Sequence, residues 1–210
     1  MHLWGKTLVK MAGASAKAEC GNKNSCAGLE AGVEGNLHAV REMWPDAGGW
    51  EDDAGEEDDN IFAEVLKRMA EAEDGDEITV PDCDSPGITL GDAENGFNML
   101  NCYAMLWNVR HRWSEGSYFA FNCYHHFLIL VVRNHDGHTA SFLDGQEGVS
   151  QGDPLSMLLY GVALLPLVER VNEAYPGALI PWFADDVAFT GSASNCAGGF
   201  NLTSELGPQY

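Results

Sequence analysis

The run Trp182-Phe183-Ala184-Asp185-Asp186-Val187-Ala188-Phe189 constrains this chain more than any other stretch. Two adjacent carboxylates interrupt an apolar, β-rich sequence that begins at Leu179 and Ile180 and resumes from Val187 to Phe189. A strand running through both aspartates would alternate its faces, so the run reads as a hairpin with Asp185 and Asp186 at its tight connection. Two like charges held that close repel unless a cation sits between or beside them, which makes a divalent metal the first functional suspect. Aspartate is also a common turn residue, and taken alone the pair reads as a solvated turn. A functional reading therefore requires a third carboxylate and a substrate platform elsewhere.

With 210 residues, 45% of them apolar, the chain can bury one domain, or one domain with an appendage. The net charge of -21 is the unusual quantity. Between Asp46 and Glu94 stand 18 of the 32 carboxylates against only Lys67 and Arg68, a local balance of -16. Most of the imbalance is thus one segment. Overall acidity argues against simple electrostatic attachment to nucleic acid or to an anionic membrane. The longest apolar runs, 127–132 and 155–168, are too short to span a bilayer. Lys6 and Lys10 are followed by no apolar core of signal-peptide length. Cys20, Cys26, Cys83, Cys102, Cys123 and Cys196 have no paired metal-ligand spacing, so reduced thiols in an intracellular protein are expected.

Residues 1–45 mix small residues with scattered charges. The glycines of the 26–35 segment lack the Gly-Lys-Ser/Thr of a phosphate loop and read as a small-residue helix start continuing through Leu37, Ala39 and Val40. Residues 46–87 read as an acidic insertion, with one helical pattern at Ile61, Val65, Leu66 and Met69. Ile88-Thr89-Leu90 is a short strand with Asp92 just beyond its end, and a helix carrying Leu100, Tyr103, Ala104 and Trp107 follows Asn95-Gly96. The sequence from Tyr118 to Arg133 reads as extended chain, turning at Asn134-His135-Asp136-Gly137 and returning through 138–143. Pro154 suits the first turn of a long helix, capped by Ser150 or Asp153, with Leu155, Leu158, Val162, Leu165, Val168 and Val171 as its buried stripe. Pro176-Gly177 ends it, the aspartate hairpin follows, and 192–210 reads as a polar tail without a terminal element. This order suits an α+β fold, helices packed on one face of an antiparallel sheet.

Asp92 at a strand end can converge with Asp185 and Asp186 on one sheet surface and hold two divalent ions for phosphoryl transfer. Three segments in this order, Asp92-Ala93-Glu94-Asn95-Gly96-Phe97-Asn98, Gly148-Val149-Ser150-Gln151-Gly152-Asp153-Pro154-Leu155-Ser156 and Phe183-Ala184-Asp185-Asp186, resemble motifs A, B and C of the reverse transcriptase palm, most of all in retrotransposon-type enzymes. They span residues 88–190, about half the chain.

The resemblance implies a polymerase palm over 88–191 using Mg2+, or Mn2+, to join deoxynucleoside triphosphates to a DNA primer on an RNA template. It implies Asp92, Asp185 and Asp186 as catalytic metal ligands, with Asp92 and Asp185 serving both ions. Phe97 would block a ribose 2′-hydroxyl, Ala93 would lie beneath the triphosphate, and Gln151 with Gly152 would contact nucleotide and template. Ordinary core packing is the plain alternative for Phe97, and a helix start for Gly152-Asp153-Pro154. Residues 1–45 would be a partial fingers segment and 192–210 a truncated tail, with incomplete fingers and no thumb. An inactive fragment serving as an interaction domain is the competing expectation, and Phe97 argues against an RNA-synthesising relative. His125, His126 and Cys123 form an unspecific cluster, since neighbours on a strand face opposite sides, and Ser150 has no His and Asp partners for hydrolase chemistry.

Overall fold

The computed structural model describes residues 2–28, 31–43, 85–126, 128–135, 137 and 140–210. The helical pattern at Ile61 to Met69 and the acidic segment up to residue 84 lie outside the described residues, whereas Pro86 and Gly87 belong to the first strand.

The fold is α+β, with an antiparallel sheet and helices against it. Strand β1 (Pro86–Asp92) pairs with β5 (Asp186–Ser192), and β5 pairs with the short β4 (Trp182–Phe183), so β5 lies in the middle. The β1–β5 register runs from Pro86 opposite Ser192 to Asp92 opposite Asp186. A separate hairpin, β2 (Leu128–Arg133) with β3 (Ala140–Gly145), exposes Ile129, Val131, Phe142 and Leu143. Its turn is closed by Gly137 N–H donating to Asn134 O at 2.9 Å, as the Asn-to-Gly signal predicts.

Helices α1 (His2–Cys20), α2 (Ser25–Gly28) and α3 (Gly32–Met43) precede the sheet, and α4 (Gly96–Met99), α5 (Cys102–Arg112) and α6 (Ser114–Tyr124) follow β1. The first helix escaped the sequence reading because its buried stripe, Ala12, Ala16 and Cys20, is built of small residues with little hydrophobic contrast. The helix expected after Gly96 is two. Leu100 leaves helical geometry at ψ 124, and Asn101 restarts the chain by accepting from the N–H groups of Tyr103 and Ala104 at 3.0 Å. The restart turns Met105 and Val109 inward and leaves Tyr103 and Trp107 exposed, so that of the expected face Leu100 is buried and Ala104 half-buried while the two aromatics face outward.

The extended reading of 118–133 is corrected at its first half, which is α6. Gly116, Ala120 and Tyr124 are buried at four-residue spacing, while the aromatics that suggested a strand, Tyr118 and Phe121, face outward. His125 and His126 therefore follow a helix rather than alternate on a strand, with ring centroids 3.7 Å apart.

Helix α7 (Ser156–Ala174) is the centre of the core. All six predicted stripe residues are buried, but so are Leu159, Ala163, Leu164 and Leu167, because α1, α2, α5 and α8 surround it. Pro154 lies in the turn ahead of the helix, where Asp153 Oδ1 accepts from Leu155 N–H at 2.9 Å. The polar tail is also corrected: α8 (Ala193–Leu206) packs on β1 and β5, and a 3-10 turn (Gly207–Gln209) follows. Ser192 caps α8 through Asn195 N–H at 3.3 Å, and Phe200 meets Phe189 edge-on at 6.2 Å. Among the described residues no helix is long and apolar enough to cross a membrane.

Arg112 donates to Glu169 Oε1 at 3.0 Å and Oε2 at 2.5 Å, and Lys23 reaches the same Oε1 at 2.6 Å. These bonds tie α5 and the α1–α2 loop to α7. The Arg112 hydrogen bond first, and Lys23 after it, hold the Glu169 carboxyl below its ordinary 4.5, against the opposing effect of burial. A lowered folded value gives stability that is full above about pH 4.5 and fades as pH falls through the folded value. Glu169→Gln is expected to cost about 1–2 kcal/mol at neutral pH, with the gap to wild type narrowing below about pH 4.5. Urea unfolding of both proteins on either side of that pH measures it.

Burial pushes the Cys20 thiol to about 12 and the Cys26 thiol to about 11 from the ordinary 9.0. At pH 8 only about one thiol in a thousand or fewer is then a thiolate. Iodoacetamide is expected to spare both in the folded protein and label both in urea, as read by peptide mass spectrometry.

Candidate functional site

Asp92 and Asp186 are directly opposed on neighbouring antiparallel strands, which places both on one face of the sheet. The expected hairpin forms, but its two-residue turn is Ala184 and Asp185 rather than Asp185 and Asp186: Phe183 pairs with Asp186, which is the first residue of β5, because the buried Ala184 takes the left-handed position of the turn. The Asp185 carbonyl accepts from Ala93 N–H at 3.3 Å, so the end of β1 is stitched to the turn. Asp92 thus meets Asp185 and Asp186, more than 90 positions further along the sequence, at one end of the sheet. Asp92 and Asp186 are exposed and Asp185 is half-buried. Local desolvation first, and then the charges of Asp185 and Asp92, push the Asp186 carboxyl up.

Ala184 has φ 55, a left-handed conformation that a side chain disfavours. The residue is nonetheless buried, at 3% exposure. Its neighbour Asp185 lies against α4, where a Cβ built on Gly96 would stand 2.9 Å from Asp185 Cβ and 2.6 Å from Tyr160 Oη. Tyr160 therefore belongs to the site although nothing but its polar tip in an apolar helix signals it. Burial, then the charge of Asp185, raises its hydroxyl well above the ordinary tyrosine value, so it stays protonated and able to donate.

Phe97 is half-buried and stacks on Tyr160 with centroids 4.5 Å apart. The 148–154 loop docks on the same helix: Gly148 N–H donates to Leu100 O at 2.9 Å and Val149 N–H to Phe97 O at 2.8 Å. Gln151 and Gly152 lie exposed in the turn beyond this anchor. Gly152 has φ 85 and open space where a Cβ would be, so its backbone can be approached closely.

A cavity of about 480 Å³ opens beside the aspartates, lined by Asp92, Ala93, Asp185, Tyr160, Trp182 and Phe200 among others. Phe97, Gln151 and Gly152 are not among its lining residues. The donor set fits a hard cation in type, since carboxylate oxygens are what Mg2+ takes. Among the described residues, however, no three of His, Cys, Asp and Glu close round a point as a ready metal cage. An ion here would draw one or two ligands from the protein and the rest from water and phosphate oxygens, the habit of Mg2+ rather than of a structural metal. The same holds at His125, His126 and Cys123, where no cage forms.

The site defined by this geometry is an aspartate-bearing hairpin at the end of an antiparallel sheet in an α+β fold. No family model matches the sequence, and no curated protein matches it. Among solved structures the chain is similar to apo telomerase from Candida tropicalis truncated from its C-terminal domain, with a TM-score of 0.48 and 16% identity. The match covers 84% of this chain and 36% of that one, so this chain spans little more than a third of the telomerase chain.

Proposed function

We propose that residues 88–191 form a reverse-transcriptase-type palm that adds deoxynucleotides to a primer 3′-hydroxyl on an RNA template. The observation that supports this most is the pairing of Asp92 with Asp186 across β1 and β5, with Asp185 in the adjoining strained turn. In the reaction the 3′-oxygen bonds to the α-phosphorus, the bond to the bridging oxygen of pyrophosphate breaks, and the hydroxyl proton passes to solvent. Asp92, Asp185 and Asp186 supply the negative oxygen set that orients cationic and phosphate groups. Mg2+, or Mn2+, when bound there, supplies positive charge to the triphosphate oxygens and to the attacking hydroxyl. Phe97, fixed by its stack on Tyr160, excludes a 2′-hydroxyl, Ala93 underlies the triphosphate, and Gln151 and Gly152 face nucleotide and template. Residues 1–45 take the part of a partial fingers segment.

A second reading, an inactive interaction domain, is favoured by the net charge of -21. Primer extension on an RNA template with Mg2+ or Mn2+, wild type against Asp185→Ala, separates the two. Extension by wild type alone supports the palm reading. Equal traces from both, with a cooperative thermal melt, support the second.

A further inference from the structure

Asn24 stands in the loop between α1 and α2 and is completely buried, at 0% exposure. Its side-chain amide pairs with one residue as a strand neighbour would: Oδ1 accepts from Ala184 N–H at 3.1 Å, and Nδ2 donates to Ala184 O at 3.4 Å. Oδ1 also accepts from Cys26 N–H at 3.3 Å, which fixes the amide to the start of α2. Next to it, Ser25 Oγ donates to Trp182 O at 2.8 Å, and Asn36 Nδ2 on α3 donates to Ser25 Oγ at 2.9 Å. The N-terminal helices therefore grip the backbone of β4 and the turn from the side opposite to β1.

Ala184 needs such a grip, because its left-handed φ is one that glycine adopts freely and alanine does not. A turn with this conformation and no partner would relax, and the two side chains that follow would turn with it. We propose that Asn24 is the positioning residue of the aspartate turn: by satisfying both backbone groups of Ala184 it holds the conformation that sets Asp185 beside Gly96 and Asp186 opposite Asp92. Its consequence for chemistry rests on the palm reading; its geometry does not. No feature of Gly21-Asn22-Lys23-Asn24-Ser25 marks the fourth residue as different from the second, since the partner is 160 residues away.

Asn24→Leu keeps the heavy-atom count and branching of the side chain and removes both bonds to Ala184, with the one from Cys26. Two readouts on the full chain test it: hydrogen exchange of the Ala184 amide against that of Leu165 in α7, and Mn2+ affinity by electron paramagnetic resonance. The variant is expected to speed Ala184 exchange roughly 10- to 100-fold beyond any change at Leu165, and to weaken Mn2+ binding about tenfold. Ala184→Gly is expected to return the Mn2+ affinity of Asn24→Leu to within about threefold of wild type, because glycine holds a positive φ without help. A merely structural asparagine gains nothing from glycine at 184. Should Asn24→Leu not fold, Asn24→Ser, whose hydroxyl is too short to reach both backbone groups, gives the same comparison. Exchange at Ala184 that moves only in step with Leu165, unchanged Mn2+ affinity, or no rescue by Ala184→Gly overturns the proposal. A wild type that binds no Mn2+ counts against the palm reading instead, and the exchange arm then decides the role of Asn24 alone.

Discussion

On the palm reading, Asp185→Ala is expected to lower primer extension by roughly 10³-fold or more, the several kcal/mol that a metal-held phosphoryl group would draw from a carboxylate ligand. The fold is expected to survive intact. Asp185 contributes its carbonyl, not its carboxylate, to the bond from Ala93, so truncation leaves the stitch between β1 and the turn in place. Asp186→Asn carries the same prediction with an added sign. Asp92 and Asp186 are like charges directly opposite on antiparallel strands, an arrangement that costs stability. Neutralising one is expected to raise stability by about 0.5 kcal/mol while extension falls, the trade expected where function holds repelling groups together. Urea unfolding beside single-nucleotide extension reads both. Loss of extension accompanied by a large loss of stability would show that the aspartates are structural.

Gly148→Ala is expected to be among the most destabilising single-atom additions in the chain. A Cβ there would stand 2.5 Å from Asn98 O and 2.6 Å from Asn98 Cα, and both are backbone atoms that cannot step aside. Gly148 also has φ 87. The left-handed conformation costs roughly 1–2 kcal/mol and forced overpacking another 1–3, so a loss of about 3 kcal/mol is expected. Gly152→Ala is the control, with nearly the same φ of 85 but open space around the added carbon. It is expected to cost about 1 kcal/mol, and the difference between the two variants isolates the contact with α4. On the palm reading Gly152→Ala also hinders substrate approach, so it is expected to lower extension out of proportion to its small effect on stability. Chemical denaturation together with nucleotide titration separates these effects.

The two loop glycines illustrate what sequence reading reaches. Gly-Asp-Pro before an apolar stripe is a local pattern and reads as a helix start, whereas a substrate contact at Gly152 is what the resemblance implies. Gly148 looks the same in sequence and differs only in what lies across from it. The aspartate hairpin, the hairpin turn closed by Gly137, the stripe of α7 and its end at Pro176 were legible for the same reason, being set by residues within a few positions of one another, although the aspartate turn falls at 184–185, one residue earlier than the adjacent pair suggests. The helices α1, α6 and α8 were not. Their buried faces rest mainly on Ala, Gly and Cys, with Tyr124 and Leu206 at the helix ends, and small residues are set in place by letting a neighbour approach, a property the neighbour decides.

By itself, then, the amino-acid order determined the two hairpins, the stripe of α7 and the identity of the acidic residues, because turn chemistry and hydrophobic period act over short range. Only the tertiary structure decided that Asp92 faces Asp186, that Tyr160 and Asn24 attend the turn, and that Ala184 is held left-handed. Those outcomes depend on strand register and on buried hydrogen bonds between segments up to 160 residues apart, whose partners become neighbours only when the core has formed.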